Sequence, residues 1–209
     1  MHRDISERRP AHGRAHHPPF DIVALAASAG GVFALTEILG KLPARFPAIV
    51  VVVQHLDPRH RSLMPEIFGR RSQLPVDQAL DGMKVEPGHV YLAPPDRHLL
   101  INGDGTVSLT QTELVNFVRP SADLLFESVA AGYGERAIAV VLTGAGKDGS
   151  MGVTAIKARG GTVIVQDEAS SEFFSMPSAA IRTGAVDFVL SLSEIPSALV
   201  TLVAGEVRD

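Results

Sequence analysis

The chain of 209 residues has no cysteine, which excludes disulfides, thiolate catalysis and cysteine-bound metal and agrees with a reducing compartment. No apolar run is long enough to span a bilayer, and the N-terminus carries charge where a secretory signal needs an apolar core. Cytoplasmic location without membrane insertion is the expectation. Nor is there a basic surplus: the formal net charge is −4 and the pI is near 6.0. Phosphate neutralisation needs a clustered positive face, so nucleic acid is not an expected partner. Internal repeats are absent too. What is present is 45% hydrophobic sequence, enough for one well-filled α/β domain.

Met1 to Pro19 holds four arginines, four histidines and three prolines with almost no large apolar residue. Such a segment buries too little surface to offset the entropy of ordering it. Residues 1–19 are therefore expected to form a flexible tail and residues 20–209 the domain. His2, His12, His16 and His17 are metal-ligand types, but the composition favours a solvated tail, and neither a metal nor another cofactor is expected.

From Phe20 the pattern becomes strand, glycine turn, helix. Ile22 to Ala26 and Ala48 to Val53 are continuous apolar runs, as are Ala137 to Leu142, Thr162 to Gln166 and Ala185 to Leu190. Continuous rather than alternating runs predict strands covered on both faces, hence a parallel sheet. Helices are expected at Val32 to Leu42, Arg61 to Arg70, Gly149 to Ala158 and Ser193 to Val203, with a further one capped by Ser121 that carries Asp123 in its first turn. Between Val76 and Leu109 the runs V-Y-L-A, H-L-L-I and V-S-L, broken by Pro94-Pro95 and Gly103-Asp104-Gly105, read as hairpins. The expected fold is α/β: a doubly wound, mainly parallel sheet with helices on both faces, a three-layer α/β/α arrangement, carrying an antiparallel hairpin insertion or edge.

Three of the strands end in residues fit for acyl transfer. Ser28 follows the first strand by two positions, precedes Gly30-Gly31 and opens a helix, the setting of a nucleophile elbow, although Ala26 replaces the first glycine of G-x-S-x-G. His55 follows the second strand, and Asp148 lies in T-G-A-G-K-D-G after the Ala137 to Leu142 strand. Ligands in open α/β sheets bind beyond the carboxyl ends of strands. A serine hydroxyl needs an imidazole to take its proton and an acid to orient that imidazole.

Each segment has a blander alternative. The Ser28 turn could be a packing turn or a phosphate-binding helix start, and His55 a hydrogen-bonded loop histidine. His55, Asp57 and His60 match no zinc spacing. The glycine loop fails the P-loop pattern, with Val141 where the first glycine belongs and Asp148 after the lysine. A nucleotide site is therefore disfavoured. The order Ser, His, Asp differs from those of α/β-hydrolases, chymotrypsin and subtilisin, so geometry must decide.

The motifs together resemble the catalytic domain of the CheB protein-glutamate methylesterases. The resemblance runs from about Asp21 to Ile195. It is carried by A-S-A-G-G (Ala27 to Gly31), V-V-Q-H (Val52 to His55), E-P-G-H-V-Y-L-A-P-P (Glu86 to Pro95), R-P-S-A-D-L-L-F (Arg119 to Phe126), L-T-G-A-G-K-D-G (Leu142 to Gly149), and Q-D-E-A-S-S (Gln166 to Ser171) with Met176-Pro177. The resemblance implies a serine hydrolase that demethylates glutamyl γ-methyl esters of a methylated chemoreceptor or related signalling protein, and often deamidates glutamine. Its catalytic residues fall at Ser28, His55 and Asp148. Backbone N–H groups of Ala29 and Ala145 are the oxyanion candidates, and Arg59, Arg61, Arg119 and Met176 the substrate-binding candidates. Three positions depart from the family's habit: Ala29 for threonine, Ala145 for methionine and Val118 for histidine.

Regulated members carry an N-terminal receiver domain, and here only the short tail stands in its place. The alternatives are constitutive activity, control by a receiver domain acting in trans, or service in a pathway other than chemotaxis. The competing class is a docking module whose triad is inert.

Overall fold

A computed structural model describes residues 20–55 and 62–205. The expected N-terminal tail, Asp57, His60 and the substrate candidates Arg59 and Arg61 lie outside the described residues.

The main sheet takes β1 (Ile22–Ala27), β2 (Ile49–Gln54), β3 (Val76–Gln78), β4 (Val90–Leu92), β7 (Ala137–Val141), β8 (Thr162–Gln166) and β9 (Phe188–Leu190) in the order β3-β4-β2-β1-β7-β8-β9, parallel throughout. Side chains alternate between its faces. Ile22, Ala24 and Ala26 of β1 enter one core, and Val23, Leu25 and Ala27 the other. The first core is closed by α3 (Ala122–Tyr133), α4 (Ser150–Ala158) and α5 (Ser175–Ile181), the second by α1 (Gly31–Leu39), α2 (Met64–Gly69) and α6 (Ile195–Ala204). Burying a Val, Leu or Ile contributes about 1.5–3 kcal/mol relative to exposure. A strand covered on both faces therefore selects an unbroken apolar run, which is why β1 and β2 read as they do.

The expected layers stand, and several boundaries move. α1 stops at Leu39, with Gly40 at its C-cap, three residues before the expected end at Leu42. α2 is a six-residue helix. The V-Y-L run is not part of a hairpin but β4, which pairs parallel with β2 and β3. The antiparallel element is the pair β5 (His98–Ile101) and β6 (Val107–Thr110). α5 has no counterpart among the expected elements. Among the described residues, no helix is long and apolar enough to cross a membrane.

The winding places the chemistry. From β1 the chain builds outward to β2 and β4 on one side and, later, to β7, β8 and β9 on the other. Such a reversal leaves a crevice at the carboxyl ends of the central strands, and there lie Ser28, His55 and the loop bearing Asp148.

Candidate active site

Ser28 and His55 leave adjacent strands at the same level. Ala27 pairs with Gln54 in the β1–β2 register, and the His55 N–H donates to the Ala27 carbonyl at 3.1 Å. The buried Gln54 amide ties the two strand ends, its Nε2 donating to the carbonyls of Ser28 at 2.8 Å and His55 at 3.0 Å. Its Oε1 is buried without a hydrogen-bond partner among the described residues. The Ser28 hydroxyl likewise makes no hydrogen bond among the described residues. Links between nucleophile and base often tighten only when substrate is bound.

His55 and Asp148 are joined: the ring Nε2 lies 2.9 Å from Asp148 Oδ2, with the histidine side chain 12% and the aspartate side chain 3% exposed. An ionised carboxylate only accepts, so Nε2 carries the proton, and Nδ1 is left as the ring's basic atom.

The carboxylate is heavily coordinated. Oδ2 also accepts from the Ala122 N–H at 2.6 Å, while Oδ1 accepts from the Ser121 hydroxyl at 2.8 Å, the Asp123 N–H at 3.2 Å and the Asn116 amide at 3.4 Å. Burial works against its charge. The His55 and Ala122 hydrogen bonds, the His55 charge and the Ser121 hydroxyl outweigh burial and hold this carboxyl below its ordinary range. Ser121 sits at the N-cap of α3 as expected, yet its hydroxyl does not cap its own helix. The capping acceptor at the start of α3 is Asp148, whose negative charge suits a helix N-terminus.

On the serine side the contacts come from backbone and small groups. The Ser28 N–H donates to the Thr143 carbonyl at 3.1 Å, and the Thr143 hydroxyl donates to the Ala29 carbonyl at 3.1 Å. A Cβ added to Gly144 would lie 2.9 Å from Ser28 Cβ and 2.3 Å from Met176 Sδ, so only glycine fits there. The backbone N–H groups of Ala29 and Ala145 donate to no acceptor among the described residues. Beside this loop a cleft of about 340 Å³ is lined by Gly146, Phe174, Ser175, Ser178 and Arg182.

Two substrate candidates have other occupations. The Arg119 guanidinium holds Asp96 Oδ1 through Nε at 2.9 Å and Nη2 at 2.7 Å and also donates to the Thr112 and Gln111 carbonyls, bracing two loops. Met176 is fully buried beneath Gly144. Sequence reasoning missed Gln54 and Asn116 and read Asp123 only as a first-turn helix acid. A polar residue inside an apolar strand end was the available signal for Gln54; nothing local marks the partners of the other two.

The family model described as CheB methylesterase matches residues 23–199. The chain belongs to the CheB methylesterase family. It is 41% identical over 184 residues to "Protein-glutamate methylesterase/protein-glutamine glutaminase 4" of Myxococcus xanthus, covering 88% of this chain and 52% of that protein. A Burkholderia lata protein, number 2 of the same name, is 41% identical over 188 residues, covering 90% of this chain and 56% of that one. The chain thus spans about half the length of these curated relatives. The crystal structure of the Thermotoga maritima CheB methylesterase catalytic domain superposes with a TM-score of 0.85 at 40% identity, covering 88% of this chain and 99% of that one. The CheB fold is therefore that of this chain across its described core.

Proposed function

We propose that this CheB-family domain is a serine hydrolase that removes methyl from glutamyl γ-methyl esters on a chemoreceptor-like signalling protein and also deamidates glutamine. The observation that carries the reading is the buried 2.9 Å pair of His55 Nε2 and Asp148 Oδ2 at the strand end beside Ser28. Ser28 Oγ attacks the ester carbonyl while His55 Nδ1 takes its proton. Asp148 fixes the tautomer and supports the imidazolium. The tetrahedral oxyanion is met by backbone N–H groups, with those of Ala29 and Ala145 the candidates. Collapse of the intermediate passes the imidazolium proton to the leaving methoxide, releasing methanol, and water activated by His55 then hydrolyses the acyl-enzyme. Glutamine follows the same path with ammonia leaving. No step needs a cofactor.

The relatives' names pair methylesterase with glutaminase, which supports both activities. The cleft at Gly146 is the candidate surface for the substrate chain, and there Arg182 donates to the Ser178 hydroxyl. Methanol release from a methylated receptor fragment tests the proposal: the wild type should release it, Ser28→Ala should not, and equal rates would refute the role of Ser28.

A further inference from the structure

Behind the His55–Asp148 pair lies a second buried carboxylate that the mechanism does not use. Asp123 is 3% exposed. Its Oδ1 accepts from the N–H groups of Met151 at 2.9 Å and Gly152 at 2.8 Å, the first turn of α4. Its Oδ2 accepts from the Asn116 amide at 2.7 Å. Asp148, separated from α4 by its N-cap Gly149, accepts from the first N–H groups of α3, and Asp123 belongs to the first turn of α3. The entry to each helix therefore supplies the acid that caps the other, and Asn116 Nδ2 donates to both acids.

Three further observations give this arrangement a purpose. Asn116 has φ +51 and Phe117 φ +65, and residues 115–118 form a tight turn closed by the Val118 N–H to Val115 carbonyl bond at 2.9 Å. That turn is what carries the Asn116 amide to the two carboxylates. A Cβ on Gly152 would lie 2.6 Å from Phe126 Cβ and 3.0 Å from the Asp123 carbonyl, so α3 and α4 approach as closely as backbone allows there. Asp123 is also energetically awkward: burial, with help from the Asp148 charge, raises its pKa despite the opposing pull of Gly152, Asn116 and Met151.

We propose that Asp123 and Asn116 are positioning residues for the His55–Asp148 pair, locking the starts of α3 and α4 together so that Asp148 Oδ2 stays aimed at His55 Nε2. This rests on the hydrolase reading of the site, but its test need not. Asp123→Asn keeps shape and can still accept from α4, but it turns an amide donor towards Asn116 or forces a flip. Asn116→Gly removes the shared donor and keeps a residue at ease with positive φ. Both variants should retain the wild-type thermal midpoint within a few degrees. Both should lose about 10- to 100-fold in kcat with KM little changed, the loss expected of a misaimed group. Asn116→Asp, lacking the donor, should not restore the rate.

Independently of activity, the His55 Nε2–H proton, assigned by its absence in His55→Gln, should give a downfield NMR signal that moves upfield or broadens in both variants. An unchanged signal in Asn116→Gly, or full kcat in either folded variant, overturns the proposal. If Asp123→Asn fails to fold, Asn116→Gly decides alone. If the wild type releases no methanol, the esterase reading falls, and the NMR signal still judges the positioning role.

Discussion

Asp148 is 2% exposed and takes hydrogen bonds from five groups, whereas Ser28 is half-buried and its hydroxyl makes no hydrogen bond among the described residues. The acid half is preorganised: its dipoles are already aimed, so little reorganisation is left for the reaction itself. The serine half is walled by glycine and backbone and leaves the hydroxyl able to rotate towards substrate. Ala29 and Ala145 fall in the open half, while Val118 closes the turn that brings Asn116 to the rigid half. In the proposed mechanism the difference separates two tasks, orientation behind His55 and reception in front of it.

Several changes would break or sharpen that contrast. The largest effect belongs to the open half: Ser28→Ala should lower kcat by about 10⁴-fold or more, measured as methanol release, because the nucleophile is gone. Asp148→Asn should cost about 10³- to 10⁴-fold, since an amide can present the wrong group to Nε2. Retained activity would mean that the coordination is scaffold alone. Gly144→Ala must displace Met176 or Ser28, and overpacking of this kind costs about 1–3 kcal/mol in unfolding experiments; an unchanged denaturation midpoint would show the wall to be soft.

The smallest effects concern pH. Asp148 has a lowered folded pKa, so its contribution to stability is present above the unfolded carboxylate value of about 3.9 and is lost as pH falls through the folded value. Asp123, with a raised folded pKa, has the opposite sign: its contribution is present below that unfolded value and is lost as pH rises through the folded one. Urea midpoints followed against pH should therefore flatten on the acid side for Asp148→Asn and on the higher-pH side for Asp123→Asn. Slopes that do not separate in this way would deny the electrostatic asymmetry.

Much of this molecule was legible in its sequence where the signal was local. β8 occupies Thr162–Gln166 as read, and β1 and β2 lie within one residue of expectation, because strands buried on both faces leave unbroken apolar runs. Short elements gave less. β4 has only three residues, Val90–Leu92, before Pro94, so it looked like half of a hairpin, and α5 spans only Ser175–Ile181 with a proline near its start. The positions of His55 and Asp148 were legible because both follow apolar strands at their carboxyl ends. Asp123 was not, because an acid in the first turn of a helix normally serves that helix, while its real partners, Met151 and Gly152, belong to another one. Arg119 looked free for the same reason, its acceptor Asp96 lying 23 positions earlier.

The placing of β1 between β2 and β7 has a consequence for how the protein matures. The hydroxyl, the ring and the carboxyl sit on segments that meet only when parallel strands far apart in the chain have paired, and such long-range pairing is slow to form. A nascent chain that has emerged only as far as β6 carries Ser28 and His55 but lacks both the acid and the helix start it caps. Hydrolytic competence should therefore switch on late and in one step, as the sheet closes around its oldest strand.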